Sequence, residues 1–413
     1  MKNLPEFSIF TLSNGLRVIH KQVDRPIAHC GVLINAGTRD ELDHEHGIAH
    51  FIEHAIFKGT QKRRSFHILN RLDSVGGEID AYTTKENTCI YGSFLTEYYD
   101  RAIDLISDII VNSQFPEKEI EKEKEVVLDE IKVYLDSPSD QIYDDFEAQV
   151  FQKHPLGNPI LGTEESVKAL SKEDMLGFIQ RNYSSENMVF SSVGNISETK
   201  LKAKLEKHFV GLNTVSSQLD RSLFIPKQGN RISIEKDTFQ THCMVGKACY
   251  GAQDDKRLGM ILLNNILGGP AMNTILNLKV REKYGYTYNI ESHYAVYSDT
   301  GLFSIYLASD PKYIDRCLNA IYKELKVLRT KKLSNNKLHL SKQQLKGQLA
   351  INRESNSSVM LSNAKGLLVY NEVHEINRIH NKIDAITSEH FLEIANEQLN
   401  PDDFDYLFYK GKA

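Results

Sequence analysis

The chain has 413 residues, of which 41% are hydrophobic and 25% are charged, and its formal net charge is −5. This is the composition of an ordinary globular protein with enough residues for two to four domains. A mildly acidic chain without basic runs argues against a nucleic-acid or anionic-membrane partner, and no signal-peptide pattern or apolar run of about 18 residues occurs. Five scattered cysteines without metal-ligand spacing favour reduced core residues and a cytoplasmic location.

The first part of the chain predicts a sheet with helices packed against it. Residues 7–22 have the pattern of a β-hairpin around Ser13-Asn14-Gly15, and residues 30–37 have the pattern of a further strand. A polar loop at 38–45 then precedes a helical pattern. The next predicted elements are helices at 65–75, 96–112 and 116–136, with two strands joined at 85–87.

The helix that follows residue 45 carries the residues on which the functional interpretation depends. On a helical wheel His50 and His54 lie about 40° apart, Glu53 lies about 60° from His50, and the opposite face is apolar. Two imidazoles one turn apart can bind one ion, and imidazole suits zinc. Glu53 lies beside that ion and could deprotonate a water. The alternative is that these three residues belong to a solvated helix face.

Two glutamates on the helix predicted at 116–136 offer the missing third ligand. Glu123 and Glu130 lie within about 20° of each other, on an apolar face formed by Val126, Val127, Val133 and Tyr134. A buried carboxylate is costly unless it is paired or binds a metal, so both glutamates are predicted to lie near a cation. The histidine pair with its ion would supply one. The alternative for Glu130 is a salt bridge to an arginine or lysine.

His50-Phe51-Ile52-Glu53-His54, followed 76 residues after His54 by Glu130, resembles the pitrilysin/insulinase family of zinc metallopeptidases. The resemblance is to the short two-domain form, similar to bacterial processing-peptidase-like members, and extends to segments 35–41, 57–60 and 76–83. It implies one Zn²⁺ per chain, bound by His50, His54 and Glu130, with Glu53 polarising the attacking water.

The same resemblance implies roles for three residues that do not bind the metal. Glu123 corresponds to a carboxylate that orients a metal ligand from outside the coordination sphere. Asp80 and Ala81 correspond to the edge strand with which an extended peptide substrate pairs, where the family often has Asn in place of Asp80. The acidic side chain could favour basic peptides.

The second half of the chain repeats the first in outline. A polar stretch at 213–229 predicts a linker between a catalytic zinc-binding domain, 1–212, and a homologous domain, 230–413. In the second domain we predict a strand at 243–249, a helix at 258–267, strands at 286–295 and 301–308, and a helix from 310. This repeat places 261–265 opposite the histidine motif but has none of its ligands, which predicts a substrate-holding role.

Arg281 and Tyr288 resemble a family pair, seven residues apart, that contacts the bound peptide and the oxyanion. Without the family, an arginine at a helix end and a tyrosine in a strand would be ordinary packing and surface residues. The segment departs from the commoner family form at Tyr284, where a second arginine is frequent.

The predicted fold is α+β, with two homologous domains that each contain a mainly antiparallel sheet packed with helices and together form half of a clamshell. The predicted function is zinc-dependent endopeptidase action on peptides or unfolded segments inside a closed chamber. Because family chambers use four such domains, a homodimer is implied. The alternatives are a subunit of a heterodimeric processing protease and a non-catalytic core or assembly subunit.

Overall fold

The computed structural model describes residues 6–214 and 220–411, so residues 215–219 of the predicted linker lie outside the described part of the chain. The described residues form eleven strands in two sheets. The strands are β1 (Ser8–Thr11), β2 (Arg17–Gln22), β3 (Ile27–Ile34), β4 (Glu78–Thr83), β5 (Thr88–Leu95), β6 (Met188–Gly194), β7 (Arg231–Glu235), β8 (Thr241–Cys249), β9 (Thr287–Val296), β10 (Gly301–Ser309) and β11 (Asp405–Lys410).

The same described residues form fourteen α-helices, and a π-helical segment, Asn277–Glu282, lies between the ninth and the tenth. The helices are α1 (Ile48–Ala55), α2 (Ser65–Asp73), α3 (Tyr99–Val111), α4 (Glu117–Leu135), α5 (Pro138–Val150), α6 (Glu164–Ala169), α7 (Lys172–Asn182), α8 (Glu198–His208), α9 (Arg257–Gly268), α10 (Ile314–Thr330), α11 (Asn335–Asn352), α12 (Asn356–Val369), α13 (Ile376–Asp384) and α14 (Ser388–Gln398).

The two sheets have the same topology except that the first has one additional edge strand, β1. The first has the strand order β1-β2-β6-β3-β5-β4 and the second β7-β11-β8-β10-β9. Each contains one parallel pair, β2 with β6 and β7 with β11, and its other pairs are antiparallel. The prediction of two homologous, mainly antiparallel sheets packed with helices is therefore confirmed. In each repeat the strand that precedes the helix α1 or α9, which is β3 or β8, lies inside the sheet, and β4 or β9 forms one edge.

The chain forms two compact units that are not continuous in sequence. The first contains the described parts of 1–131, 158–221 and 351–375, and the second contains the described parts of 132–157, 222–350 and 376–413. A single cut of the chain at 213–229 would give nearly the same two units, except that two helices would be assigned differently. Helix α5 comes from the first half but belongs to the second unit, whereas α12 comes from the second half but belongs to the first.

Each of these two helices, α5 and α12, covers one face of the sheet in the unit to which it belongs. In the first unit, Ala364, Leu367 and Leu368 of α12 pack with strand residues such as Leu33 and Val189. In the second unit, α5 packs in the same way against β8 and β11. The central strands are consequently buried on both faces, which explains why all residues of β6 and β10 are buried.

The hairpin prediction is confirmed by the pairing of Thr11 with Arg17. The strand predicted at 30–37 is displaced, because β3 runs from Ile27 to Ile34. The chain leaves the sheet after Ile34 and packs against the turn between β4 and β5, where the backbone N–H of Arg39 donates to the Lys85 carbonyl at 2.7 Å. None of the helices formed by residues 6–214 and 220–411 is both long enough and apolar enough to cross a bilayer.

Candidate metal site

Three side chains from two helices meet at one point of the first unit. The Nε2 atoms of His50 and His54 on α1 lie 3.8 and 3.7 Å from the same carboxylate oxygen of Glu130 on α4. Neighbouring ligand atoms in a tetrahedral zinc site with bonds of about 2.0–2.1 Å are about 3.3 Å apart. The three side chains are therefore within a small rotation of coordination distance, and their donor set, two imidazoles and one carboxylate, is one that catalytic zinc sites use.

The amphipathic pattern of α1 positions the two histidines. Its apolar residues, including Phe51 and Ile52, are fully buried in the core of the first unit. This packing fixes the helix and turns the opposite face, with His50, Glu53 and His54, toward α4 and β4. His50 is itself mostly buried, at 7% exposure.

The two imidazoles have different electrostatic surroundings. Burial, and then the neighbouring His54, lowers the pKa of His50 to about 4, so that this ring is neutral near pH 7. The hydrogen bond with Glu123 raises the pKa of His54, and Glu130 acts in the same direction. Within the described chain, Nδ1 of His50 is buried without a hydrogen-bond partner. The chain therefore fixes the tautomer of His54 but not that of His50.

Glu123 and Lys58 hold His54 from the side away from Glu130. Nδ1 of His54 lies 3.0 Å from Oε1 of Glu123, and Nζ of Lys58 lies 2.6 Å from Oε2 of the same carboxylate. Burial alone would raise the pKa of Glu123, but the hydrogen bonds from His54 and Lys58 hold it below its ordinary value. An ionised Glu123 accepts the Nδ1 proton of His54 and leaves Nε2 free to bind a metal.

Sequence reasoning missed the role of Lys58, although two signals pointed to it. Lys58 lies in a segment, 57–60, that was noted only for its family resemblance. The predicted burial of Glu123 also required a nearby cation. That cation is Lys58 together with the imidazole of His54.

Glu53 lies on the same face of α1 as the histidines and does not belong to the three-residue group. Burial raises its pKa; the hydrogen bond from Thr83 on β4 acts against this effect, while the charges of Asp80 and Glu130 add to it. A carboxylate with a raised pKa beside the ligand set has the properties of a general base.

The prediction that Glu130 lies on a buried apolar face is wrong. The Glu130 side chain is 43% exposed, and Val126 and Val133 on the same face of α4 are 50% and 71% exposed. The buried stripe of α4 instead contains Glu123 with Ile120 and Val127. The energetic cost of burying a carboxylate therefore applies to Glu123, whereas Glu130 remains accessible to solvent.

A second group, His44, Glu45 and Asp174, also has potential ligand atoms within 4.8 Å of one another. Its carboxylates have other partners, because Glu45 forms an ion pair with Arg181 and Asp174 accepts hydrogen bonds from Ser171 at the start of α7. This group is a structural network. Of the two groups found among the described residues, the one with the donor set of a catalytic zinc site is His50, His54 and Glu130.

Asp80 and Ala81 lie on β4, which is the edge strand of the first sheet. Oδ1 of Asp80 accepts a hydrogen bond from the backbone N–H of Ala81 at 2.8 Å, and Oδ2 accepts one from the Tyr91 hydroxyl at 3.1 Å. Thr83 at the end of this strand donates to the Ala49 carbonyl at 3.4 Å. The edge strand is thus attached to the helix that carries the histidines.

Arg281 and Tyr288 lie together in the second unit. Arg281 belongs to the π-helical segment, and Tyr288 lies on β9, the edge strand of the second sheet. The guanidinium carbon of Arg281 lies 5.3 Å from the centre of the Tyr288 ring, and Tyr288 is 82% exposed. An exposed tyrosine hydroxyl beside a guanidinium can contact a ligand, and π-helical segments are frequent at functional sites.

Sequence comparisons match both halves of the chain to one peptidase family. The family model described as Insulinase (Peptidase family M16) matches residues 17–164, and the one described as Peptidase M16 inactive domain matches residues 169–345. A Bacillus subtilis protein named uncharacterized zinc protease YmxG is 32% identical over 95% of this chain and 96% of its own length. A Rickettsia felis protein named uncharacterized zinc protease is 35% identical over 84% of both chains.

Solved structures show the same fold at lower sequence identity. The crystal structure of a protease from Helicobacter pylori has a TM-score of 0.90 at 21% identity and covers 98% of this chain and 100% of its own. A structure from Pseudomonas fluorescens, described as a peptidase M16 inactive domain, has a TM-score of 0.92 at 17% identity and covers 99% of this chain and 98% of its own.

Proposed function

Since this chain belongs to the insulinase family, peptidase family M16, we propose that it is a zinc-dependent endopeptidase acting on peptides or unfolded segments. The observation that carries the proposal is the convergence of His50, His54 and Glu130, with Glu53 on the same helix face. The names of the relatives support zinc and the reaction class. We propose one zinc ion per chain, because the described residues contain a single group with this donor set.

The residues of the site have distinct proposed roles. His50, His54 and Glu130 would hold the zinc ion, which would supply a Lewis acid toward water and the scissile carbonyl. Glu53 takes a proton from the attacking water and delivers it to the leaving amine. Glu123, held by Lys58, keeps the ring of His54 in the orientation and tautomer that a metal ligand requires.

An edge strand offers a simple way to hold a peptide in an extended form. The outer side of β4 is not paired within the described sheet, so a substrate segment can add to it as a further strand near Asp80 and Ala81. Such pairing uses backbone groups and therefore accepts many sequences. Arg281 and Tyr288 are proposed to hold the peptide and to stabilise the oxyanion that forms during hydrolysis.

The proposed assembly is a homodimer that encloses its substrate in a chamber. Each chain supplies two of the homologous units, and the family resemblance implies a chamber made of four. Because this chain contains both the candidate zinc ligands and the Arg281 and Tyr288 pair, two copies would suffice without a different partner. A monomer that is fully active, as judged by light scattering and activity on the same sample, would contradict this assembly. The proposed cytoplasmic location is supported by five free cysteines.

The function is tested by measuring metal content and hydrolysis of a quenched random peptide library on the same sample. We expect about one zinc per chain, loss of hydrolysis after chelation and recovery when zinc is restored. Hydrolysis that survives complete zinc removal would contradict the proposal. A zinc-containing protein without hydrolysis would instead favour a non-catalytic subunit or one that needs a homologous partner chain.

The charge of Asp80 is expected to contribute, after burial, to the acid limit of activity. Glu53 must be ionised to act as a base, and the carboxylate of Asp80 contributes to raising its pKa. Asp80→Asn removes that charge, lowers the pKa of Glu53, and should therefore move the acid limb of the kcat/KM profile to lower pH. Glu78→Gln, on the same exposed side of β4, is the matched control and should leave the limb in place. An unchanged limb in Asp80→Asn would refute this coupling.

A further inference from the structure

Glu41 has an enclosed carboxylate in the loop between β3 and α1. Its side chain has no exposed surface. The backbone N–H of Gly47 donates to Oε2 and that of Ala49 donates to Oε1, each at 3.0 Å. Burial raises the pKa of Glu41 to about 7, while His46, whose Nδ1 lies 3.9 Å from Oε2, and the two backbone N–H groups act against that effect. A carboxylate kept in such an unfavourable place requires a structural or functional reason.

The two N–H groups belong to the beginning of the helix that carries the candidate zinc ligands. The first N–H groups of a helix have no partner within it, and Gly47, the residue immediately before α1, has no side chain to cap them. Glu41 supplies the missing acceptors from outside the helix and places a negative charge at its positive end. Ala49, one of its two partners, directly precedes His50.

A close backbone contact restricts the same end of α1 from another side. A Cβ atom on Gly47 would lie 2.8 Å from the Leu161 carbonyl oxygen, and one on Gly162 would lie 2.6 Å from the His46 carbonyl oxygen. Both glycines also have positive φ, 89° and 73°. The start of the helix therefore contacts the 161–162 turn directly, and Glu41 fixes it from the loop that precedes it.

We propose that Glu41 is a positioning residue for the zinc site. Its two hydrogen bonds set the rotation and the axial position of α1, and thereby bring the imidazoles of His50 and His54 to face Glu130. This inference rests on the proposed function, since it takes these three side chains as the zinc ligands. Glu41 does not touch the metal, and its effect reaches the site only through the backbone of α1.

The test compares Glu41→Gln and Glu41→Ala with Glu45→Gln in the full-length protein. The glutamine retains the shape of Glu41 but offers only one acceptor, so one N–H loses its partner. Glu45 is a matched control, because it is also buried in this loop, at 2% exposure, but its side chain binds Arg181 and the Leu42 N–H instead of the start of α1. Zn²⁺ affinity is measured by chelator competition at about pH 8, above the pKa of Glu41, together with the absorption spectrum of the Co²⁺-substituted protein and thermal unfolding of the metal-free protein.

We expect Glu41→Gln to weaken Zn²⁺ binding by about 10-fold or more and to change the Co²⁺ spectrum, with Glu41→Ala weaker still. Glu45→Gln should lower thermal stability without either change. If Glu41→Ala does not fold, the glutamine variant decides the question. Equal Zn²⁺ affinity and an unchanged Co²⁺ spectrum in Glu41→Gln would overturn this inference and leave the proposed function intact, whereas a wild-type protein that binds no zinc would reject both.

Discussion

Glu53→Gln is expected to abolish peptide hydrolysis while the protein keeps its zinc. The amide has nearly the same shape as the carboxylate but cannot accept the proton of the attacking water, and loss of a general base typically costs about 10²–10⁴-fold in rate. Zinc content should not change, because Glu53 is not among the three residues that surround the candidate metal position. The measurement is kcat on a quenched peptide together with the zinc content of the same preparation.

Glu53→Asp provides the matched comparison for this substitution. It retains the carboxylate but withdraws it by one methylene group, so we expect activity between that of the wild type and that of Glu53→Gln. A glutamine variant that hydrolyses peptides at a rate close to the wild type would show that another group takes the proton. A variant that loses zinc together with activity would instead assign Glu53 to the ligand set.

The candidate ligands could be proposed from the sequence because helical periodicity places residues on a helix face without knowledge of the tertiary fold. The spacing of His50, Glu53 and His54 fixes their relative directions on α1, and the same rule relates Glu123 to Glu130 on α4. The meeting of the two helices could not be derived from periodicity, and it came from the family resemblance. The relative directions of the side chains on each helix could therefore be predicted from the sequence. The contact between α1 and α4 was predicted only by analogy with the family.

Residues that act on the site from irregular segments were not predictable in this way. Lys58 lies in the turn after α1 and reaches Glu123, which is 65 residues away in the chain. Glu41 accepts hydrogen bonds from backbone N–H groups. Every residue except proline has such a group, so the pattern of side chains in the sequence does not indicate which ones Glu41 binds. Both contacts depend on loop conformation, for which hydrophobic periodicity gives no information.

The error at Glu130 has a physical explanation. An apolar neighbourhood on a helical wheel indicates burial in a core, but Val126 and Val133 are exposed and their face of α4 is not packed within the described structure. A catalytic metal site keeps a position open for water or substrate, so a ligand at its border remains accessible. A helical wheel alone does not distinguish an apolar face that stays exposed from one that packs in a core.

The exchange of α5 and α12 between the units also lies beyond sequence reasoning. Ile142, Phe146 and Val150 form the buried stripe of α5, so its amphipathic character is visible in the sequence. An amphipathic pattern shows that a helix has an apolar face but not which sheet that face covers. Elements close in sequence are usually close in space, so the simplest expectation assigns each helix to its own half. Here each of these two helices packs with the other half of the chain.

Glu130→Gln is expected to reduce Zn²⁺ affinity by more than about 100-fold, which exceeds the usual effect of removing an outer partner of a metal ligand. The substitution replaces a charged oxygen donor with a neutral amide and leaves two imidazoles as the remaining ligands. Because the Glu130 side chain is 43% exposed, the change should have little effect on folding, and thermal unfolding of the metal-free protein should stay close to that of the wild type.

Glu125→Gln, an exposed substitution on the same helix, makes the same change in net charge at a position away from the candidate ligands. It should leave Zn²⁺ affinity and hydrolysis unchanged. A difference between the two variants would then result from the loss of a metal ligand and not from the lower negative charge of α4. Chelator competition gives the affinities, and peptide hydrolysis at saturating Zn²⁺ shows whether added metal restores activity. If Glu130→Gln bound Zn²⁺ as tightly as Glu125→Gln, the proximity of Glu130 to the two imidazoles would be an ion-pair arrangement and the third ligand would have to come from another residue.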